Sequence, residues 1–164
     1  MRQDEQVKEH VENCSALLAR RGLHLAFAES ATAGALAAVF SQSRDSGDVL
    51  KGGVVCYDVC LKEDLLKVPR ALIERYTPES MEVTQAMTYQ LRDLIAADIH
   101  IGVTGLTKPG GSESPEKPVG TMFICLVHRD WELQETRVFK GDGEDIIVQT
   151  IVHTCRLLMD KVGG

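Results

Sequence analysis

The sequence predicts an α/β fold, one domain across residues 1–164, in which a mixed sheet of about five strands is covered by helices on both faces. Three observations predict it. Apolar residues at helical spacing alternate with short apolar runs of strand character, in the order α-β-α-β-α-α-β-β-β-α. The last two strand-like runs are separated only by a polar turn, as in an antiparallel hairpin. Finally, 164 residues with 44% hydrophobic and 26% charged content suit a globular domain with a sizeable core. No repeat, low-complexity tract or interdomain linker interrupts the chain.

Taken in order, residues 4–21 place Val7, Val11, Cys14, Leu17 and Leu18 at helical spacing, and Arg20-Arg21-Gly22 reads as a basic last turn with a glycine stop. Residues 23–28 read as a buried strand and residues 31–43 as a helix rich in alanine. A polar loop over 43–48 leads to Gly52–Tyr57, a short buried strand, and then to a short helix from Leu61 to Lys67, stopped before Pro69. A second amphipathic helix covers 78–97, with Val83, Met87, Leu91, Leu94 and Ile95 on one face. Ile99–Val103 is a strand, and Gly105 opens a loop rich in glycine and proline that reaches Pro118. Val119–Val127 and Glu132–Phe139 form the hairpin, and Asp145–Lys161 closes the chain as a helix.

Eighteen basic residues against 24 acidic ones leave a net charge of -6, the wrong balance for a nucleic-acid platform. The five cysteines show no CxxC pair and no ligand-spaced histidine, so no metal site is expected. Three of them lie in apolar segments and are expected to be buried thiols. The charged start, Met1 to Gln6, is unlike a signal peptide, and no apolar run is long enough to span a membrane. A reduced, cytoplasmic protein without membrane or nucleic-acid partners is the expectation.

Three stretches carry candidate chemistry. In Phe27-Ala28-Glu29-Ser30-Ala31-Thr32-Ala33-Gly34 the hydroxyls of Ser30 and Thr32 sit where a strand turns into a helix, which is where ligands bind in open α/β sheets. Serine and threonine are also preferred helix N-caps, so the pair has two readings. Glu29 has two as well: a base or ribose ligand, or a carboxylate favoured near a helix N-terminus. In the second stretch, Gly53 to Lys62, Tyr57 ends a strand and Lys62 follows it. Lysines are mostly surface charges, but one enclosed in a dry site is pushed towards the neutral amine and can take a proton from a serine hydroxyl. The third stretch, Gly105-Leu106-Thr107-Lys108-Pro109-Gly110-Gly111 with Lys117-Pro118-Val119-Gly120-Thr121, lets backbone N–H groups approach a ligand; it lacks the GK[ST] ending of a P-loop.

Together, in this order and spacing, these stretches resemble the CinA C-terminal-domain family. The family pattern T-A-E-S-C-T-G-G is similar to residues 27–34, which keep Ala28, Glu29, Ser30, Thr32 and Gly34. G-x-V-x-Y-S-N-x-x-K is similar to residues 53–62, which keep Gly53, Val55, Tyr57 and Lys62. S/T-G-I-A-G-P-x-G-G followed by K-P-V-G-T is similar to Thr104–Gly111 and Lys117–Thr121.

The resemblance implies a three-layer α/β/α sandwich with a mixed, mainly parallel sheet. It also implies deamidation of nicotinamide mononucleotide by a serine–lysine amidohydrolase mechanism without a metal or organic cofactor. Ser30 would be the nucleophile, Lys62 the general base and Tyr57 an assisting group. Glu29, Thr32, Gly34, Thr104, Gly105, Gly110 and Gly111 would bind the substrate, a pyridine nucleotide or related amide. A homo-oligomer is also implied, since the family commonly self-associates. Two-domain relatives carry a further N-terminal domain associated with ADP-ribose pyrophosphatase activity, for which 164 residues leave no room.

The sequence also departs from the pattern. Ala31 and Ala33 replace the cysteine and the first of the paired glycines, Asp58-Val59 replaces Ser-Asn, and Lys108 stands where A-G-P has its glycine. Gly143 replaces the arginine of F-x-G-D-R that would meet the nucleotide phosphate, and Ile147 stands at a second basic position. Two alternatives follow from these departures: a diverged paralogue that binds without deamidating the mononucleotide, or an amidase for a different amide.

Overall fold

A computed structural model describes residues 5–164. Position 4, where the first helix was expected to begin, lies outside them. The first three elements are α1 (Glu5–Arg21), β1 (Leu25–Glu29) and α2 (Ala35–Ser41). They are followed by α3 (Ser46–Val49), β2 (Leu50–Val55), α4 (Val59–Asp64) and α5 (Arg70–Tyr76). The chain continues through α6 (Met81–Leu94), β3 (Ile99–Gly105), β4 (Thr121–His128), β5 (Trp131–Val138) and α7 (Gly143–Gly163).

The sheet runs β2-β1-β3-β4-β5. β1 pairs in parallel with β2 and β3, whereas β4 is antiparallel to β3 and β5, so four of the five strands point one way. The alternation of side chains along a strand separates two cores. Leu25 and Phe27 join Ile99, Ile101, Val103 and the buried faces of α1, α2 and α7. Ala26 and Ala28 face the other way, against Leu66, Ile73 and the Val83, Met87 and Leu91 stripe of α6. Small residues on that second face let α6 come close: a Cβ on Gly102 would strike Thr88 Oγ1 and lie 2.9 Å from the Thr84 carbonyl oxygen. Helices therefore cover both faces, as the sequence predicts.

Several local expectations are corrected. α2 is shorter than residues 31–43, because residues 31–34 form a turn before it. Two short helices were not anticipated: α3 begins inside the stretch read as a polar loop over 43–48, and α5 lies between the helices expected at 61–67 and 78–97, starting after Pro69, whose missing N–H costs nothing before a first turn. β2 is not a buried strand. It is a sheet edge with one partner, its residues alternate between half-buried and exposed, and it carries Gly52 and Gly53. Cys14, Cys56, Cys125 and Cys155 are buried and Cys60 is exposed, one buried thiol more than the apolar segments indicated. Among the described residues no helix is long and apolar enough to cross a membrane, and no cluster of three His, Cys, Asp or Glu side chains is placed to hold a metal ion.

Candidate active site

The carboxyl ends of the three neighbouring parallel strands converge: Ser30 follows β1, Cys56 and Tyr57 follow β2, and Gly105 ends β3. Ser30 is fixed by its own amide, which donates to the Val103 carbonyl at 2.9 Å. Lys62 comes from α4. Asp58 caps that helix by accepting from the Cys60 N–H at 2.8 Å, which also holds the Asp58 carboxyl below the usual range. Aspartate and the family's serine are both good N-caps, so this departure preserves the turn that aims Lys62.

The Lys62 side chain is 1% exposed, and its Nζ lies 2.9 Å from Ser30 Oγ and 3.0 Å from the Cys56 carbonyl oxygen. Burial pushes the Lys62 pKa below the ordinary lysine range, while the negative charge of Glu79 pulls the other way. A lysine held this way donates to Oγ when charged and accepts the hydroxyl proton when neutral. That is the arrangement an amine needs to act as a base towards a serine.

Glu29 has a different task. It is 1% exposed, and its Oε2 accepts from Thr32 Oγ1 at 2.6 Å, the Gly34 N–H at 3.0 Å and the Leu36 N–H at 3.1 Å. Its Oε1 accepts from the Ala37 N–H at 2.8 Å. The carboxylate thus satisfies the amides that open α2, which a helix leaves without partners. Gly34 has a φ of 94°, a left-handed conformation that glycine adopts freely. This tightly bonded turn sets the angle at which Ser30 leaves β1.

Opposite Ser30 a pocket of about 190 Å³ is lined by Ala31, Tyr57, Glu79 and residues 105–111. The loop holding its far wall is tied down by Lys117, whose Nζ donates to Thr77 Oγ1 at 2.7 Å, the Glu79 carbonyl at 2.8 Å and Ser112 Oγ at 2.6 Å. Ser112 in turn donates to Glu79 Oε2. Gly105 packs so tightly against β4 that a Cβ would lie 2.6 Å from the Thr121 carbonyl oxygen.

Of the sequence-based candidates, Ser30, Tyr57, Gly105, Gly110 and Gly111 line this pocket, and Lys62 reaches Ser30 from beneath. Tyr57 is 55% exposed at the rim, and no hydrogen bond among the described residues joins it to Ser30 or Lys62. Glu29, Thr32 and Gly34 build the turn and are not in the lining. Thr104 is buried with its hydroxyl 2.8 Å from Thr84 Oγ1, where it docks α6 on β3. Glu79 was missed by the sequence reading, because there it appears only as part of the opening of the helix over 78–97. Gly143, at the expected arginine position, sits behind the loop; a Cβ there would lie 3.2 Å from the Thr107 carbonyl oxygen.

Comparison with known proteins agrees with this architecture. The family model for the CinA C-terminal domain matches residues 7–162. A CinA-like protein of Desulfotalea psychrophila is 38% identical over 143 residues, covering 86% of this chain and 34% of its own length. One of Citrifermentans bemidjiense is 36% identical over 140 residues, covering 85% and 34%. The chain therefore spans about a third of the length of the curated relatives it matches. A crystal structure of a competence-damaged protein (CinA) superfamily protein from Klebsiella pneumoniae superposes with a TM-score of 0.90 at 27% identity, covering 96% of this chain and 98% of that one. A superfamily protein from Enterobacter cloacae gives 0.88 at 26% identity, covering 95% and 92%. With three-layer topology and sequence in agreement, this chain belongs to the CinA C-terminal domain family.

Proposed function

We propose that this chain is a serine–lysine amidohydrolase acting on the carboxamide of nicotinamide mononucleotide or a closely related pyridine amide. The observation that carries this reading is the 2.9 Å approach of a buried Lys62 Nζ to Ser30 Oγ at the base of a pocket. Neutral Lys62 takes the Ser30 proton as Oγ attacks the carboxamide carbon, and a tetrahedral oxyanion forms. The Ser30 amide is committed to Val103, whereas no hydrogen bond among the described residues uses the Ala31 N–H, which we assign as the oxyanion donor. Collapse breaks the C–N bond, and Lys62 returns its proton to the departing ammonia. Water, deprotonated by the same amine, then attacks the acyl-enzyme carbonyl, releasing the carboxylic acid and regenerating Ser30. Tyr57 closes over the ring from the rim. No metal or organic cofactor takes part, and self-association belongs to the same reading.

The test is ammonia release from nicotinamide mononucleotide by purified protein. Release well above that of Ser30→Ala is expected, and equal rates for the two proteins would sink the assignment. Gly143 favours a second reading, that the substrate lacks the phosphate. The glycine offers no cation beside Thr107, and arginine's bidentate fork is hard to replace at a phosphate. Faster turnover of nicotinamide riboside than of the mononucleotide would support it. A protein that binds these compounds and deamidates none would be the diverged paralogue.

A further inference from the structure

Glu79 brings a carboxylate into the lining of the pocket that holds Ser30. Lys62 and Lys117 act on its charge through space, but neither pairs with it. Lys117 donates to the Glu79 backbone carbonyl and not to its side chain, and none of the ion pairs among the described residues includes Glu79. Oε2 accepts from Ser112 Oγ, which steers the group, while Oε1 takes no hydrogen bond among the described residues. Oε2 also lies beside Gly111, where a Cβ would be 3.8 Å away, so the charge sits against the far wall of the pocket. A half-buried carboxylate with no ion-pair contact is stabilised further by a positive group that meets it directly.

We propose that the cation is the substrate's own ring, so that Glu79 makes the pocket selective for carboxamides on a positively charged ring over neutral amides. The inference rests on the amidase reading for the identity of the reacting group. An N1-substituted nicotinamide carries a permanent positive charge on the ring that bears its carboxamide. With the carboxamide carbon at Ser30 Oγ, that ring lies between Ser30 and the wall formed by Glu79 and Gly111. Free nicotinamide has the same shape at the reacting end but no charge. Glu79 would therefore set ground-state affinity and selectivity, while Ser30 and Lys62 perform the chemistry.

Binding and turnover are separated by using Ser30→Ala for the first. Titration of S30A with the 1-methylnicotinamide cation and with nicotinamide, followed calorimetrically, is expected to show the cation bound roughly tenfold tighter or more. That gap should close in S30A/E79Q, in which glutamine keeps an acceptor for Ser112, or in S30A/E79A, whichever folds. Equal affinities in S30A, a gap unchanged in the folded Glu79 variant, or binding of neither amide would each overturn the inference. Ammonia release by the unmutated chain is scored separately. Cation-selective binding without ammonia would remove the amidase reading and leave the cation site standing. Ammonia release without selectivity would do the reverse.

Discussion

Two serine–lysine pairs flank the same pocket, and they behave differently because of burial and the number of acceptors. Lys62 is enclosed, and its Nζ meets two acceptors, Ser30 Oγ and the Cys56 carbonyl. An ammonium has three N–H groups, so one is left without an acceptor among the described residues, and the charged form gains little in return for its lost hydration. Lys117 is half-buried and meets three acceptors, one for each N–H. Burial lowers its pKa too, but Glu79 and Glu113 oppose the shift, and its full set of hydrogen bonds makes it a tie between the 105–118 loop and the Thr77–Glu79 turn. Two residues of identical chemistry are thus held differently, one buried against a serine hydroxyl, where the proposed mechanism uses it as a base, and one as a clamp.

The sharpest way to break the comparison is to replace each lysine by methionine. Lys62→Met is expected to cut kcat/KM by about 10³-fold or more, because the serine loses its base. It should also raise the melting temperature by about 2–4 °C, as a buried amine gives way to an apolar chain of similar length. Lys117→Met should do the opposite: a loss of activity of only about tenfold and a lower melting temperature, since three half-buried acceptors lose their donor. Activity assays and thermal melts on the two variants decide the matter; matching profiles would erase the distinction.

A second prediction concerns the turn that supports the first pair. Glu29→Ala leaves four donors in a buried turn without an acceptor and is expected to cost about 3–5 kcal/mol of stability, measured by urea denaturation. If Glu29 were a substrate ligand, the variant would instead keep its stability and lose affinity.

The smallest effect is in pH dependence. The proposed mechanism needs neutral Lys62, so kcat/KM should rise with pH through the lowered Lys62 pKa and level off above it. Glu79→Gln removes a charge that favours the ammonium, so the rise should move to lower pH. The sign for stability agrees: between the lowered folded pKa and the ordinary value of 10.5 the unfolded chain binds more protons. The Lys62 contribution to stability therefore increases with pH across that window, and Lys62→Met flattens the slope.

Much of this was legible in the chain itself. Periodicity located all five strands and the three long helices, because each buries a stripe or face whose spacing is written in the order of residues. Strand-end hydroxyls, the Tyr57–Lys62 spacing and the glycine-rich loop marked the site for the same local reason. The edge position of β2 was not legible, since an apolar run has the same composition whether one partner or two lie beside it. Nor were α3 and α5, whose few backbone bonds leave no period to detect.

The sequence by itself determined the layers, the family and the hydroxyl and amine that the structure brings together. Tertiary structure alone decided their roles. It buried Lys62 against Ser30, turned Glu29 and Thr32 from ligands into the scaffold of a turn, set Thr104 against α6, and brought Glu79 across from α6's entrance to face Ser30. Roles of this kind depend on which charges and hydrogen-bond partners arrive from distant parts of the chain, and only packing brings them together. In residues 27–34 it is Glu29, not Ser30 or Thr32, that accepts from the amides opening α2, and Ser30 Oγ faces Lys62 instead.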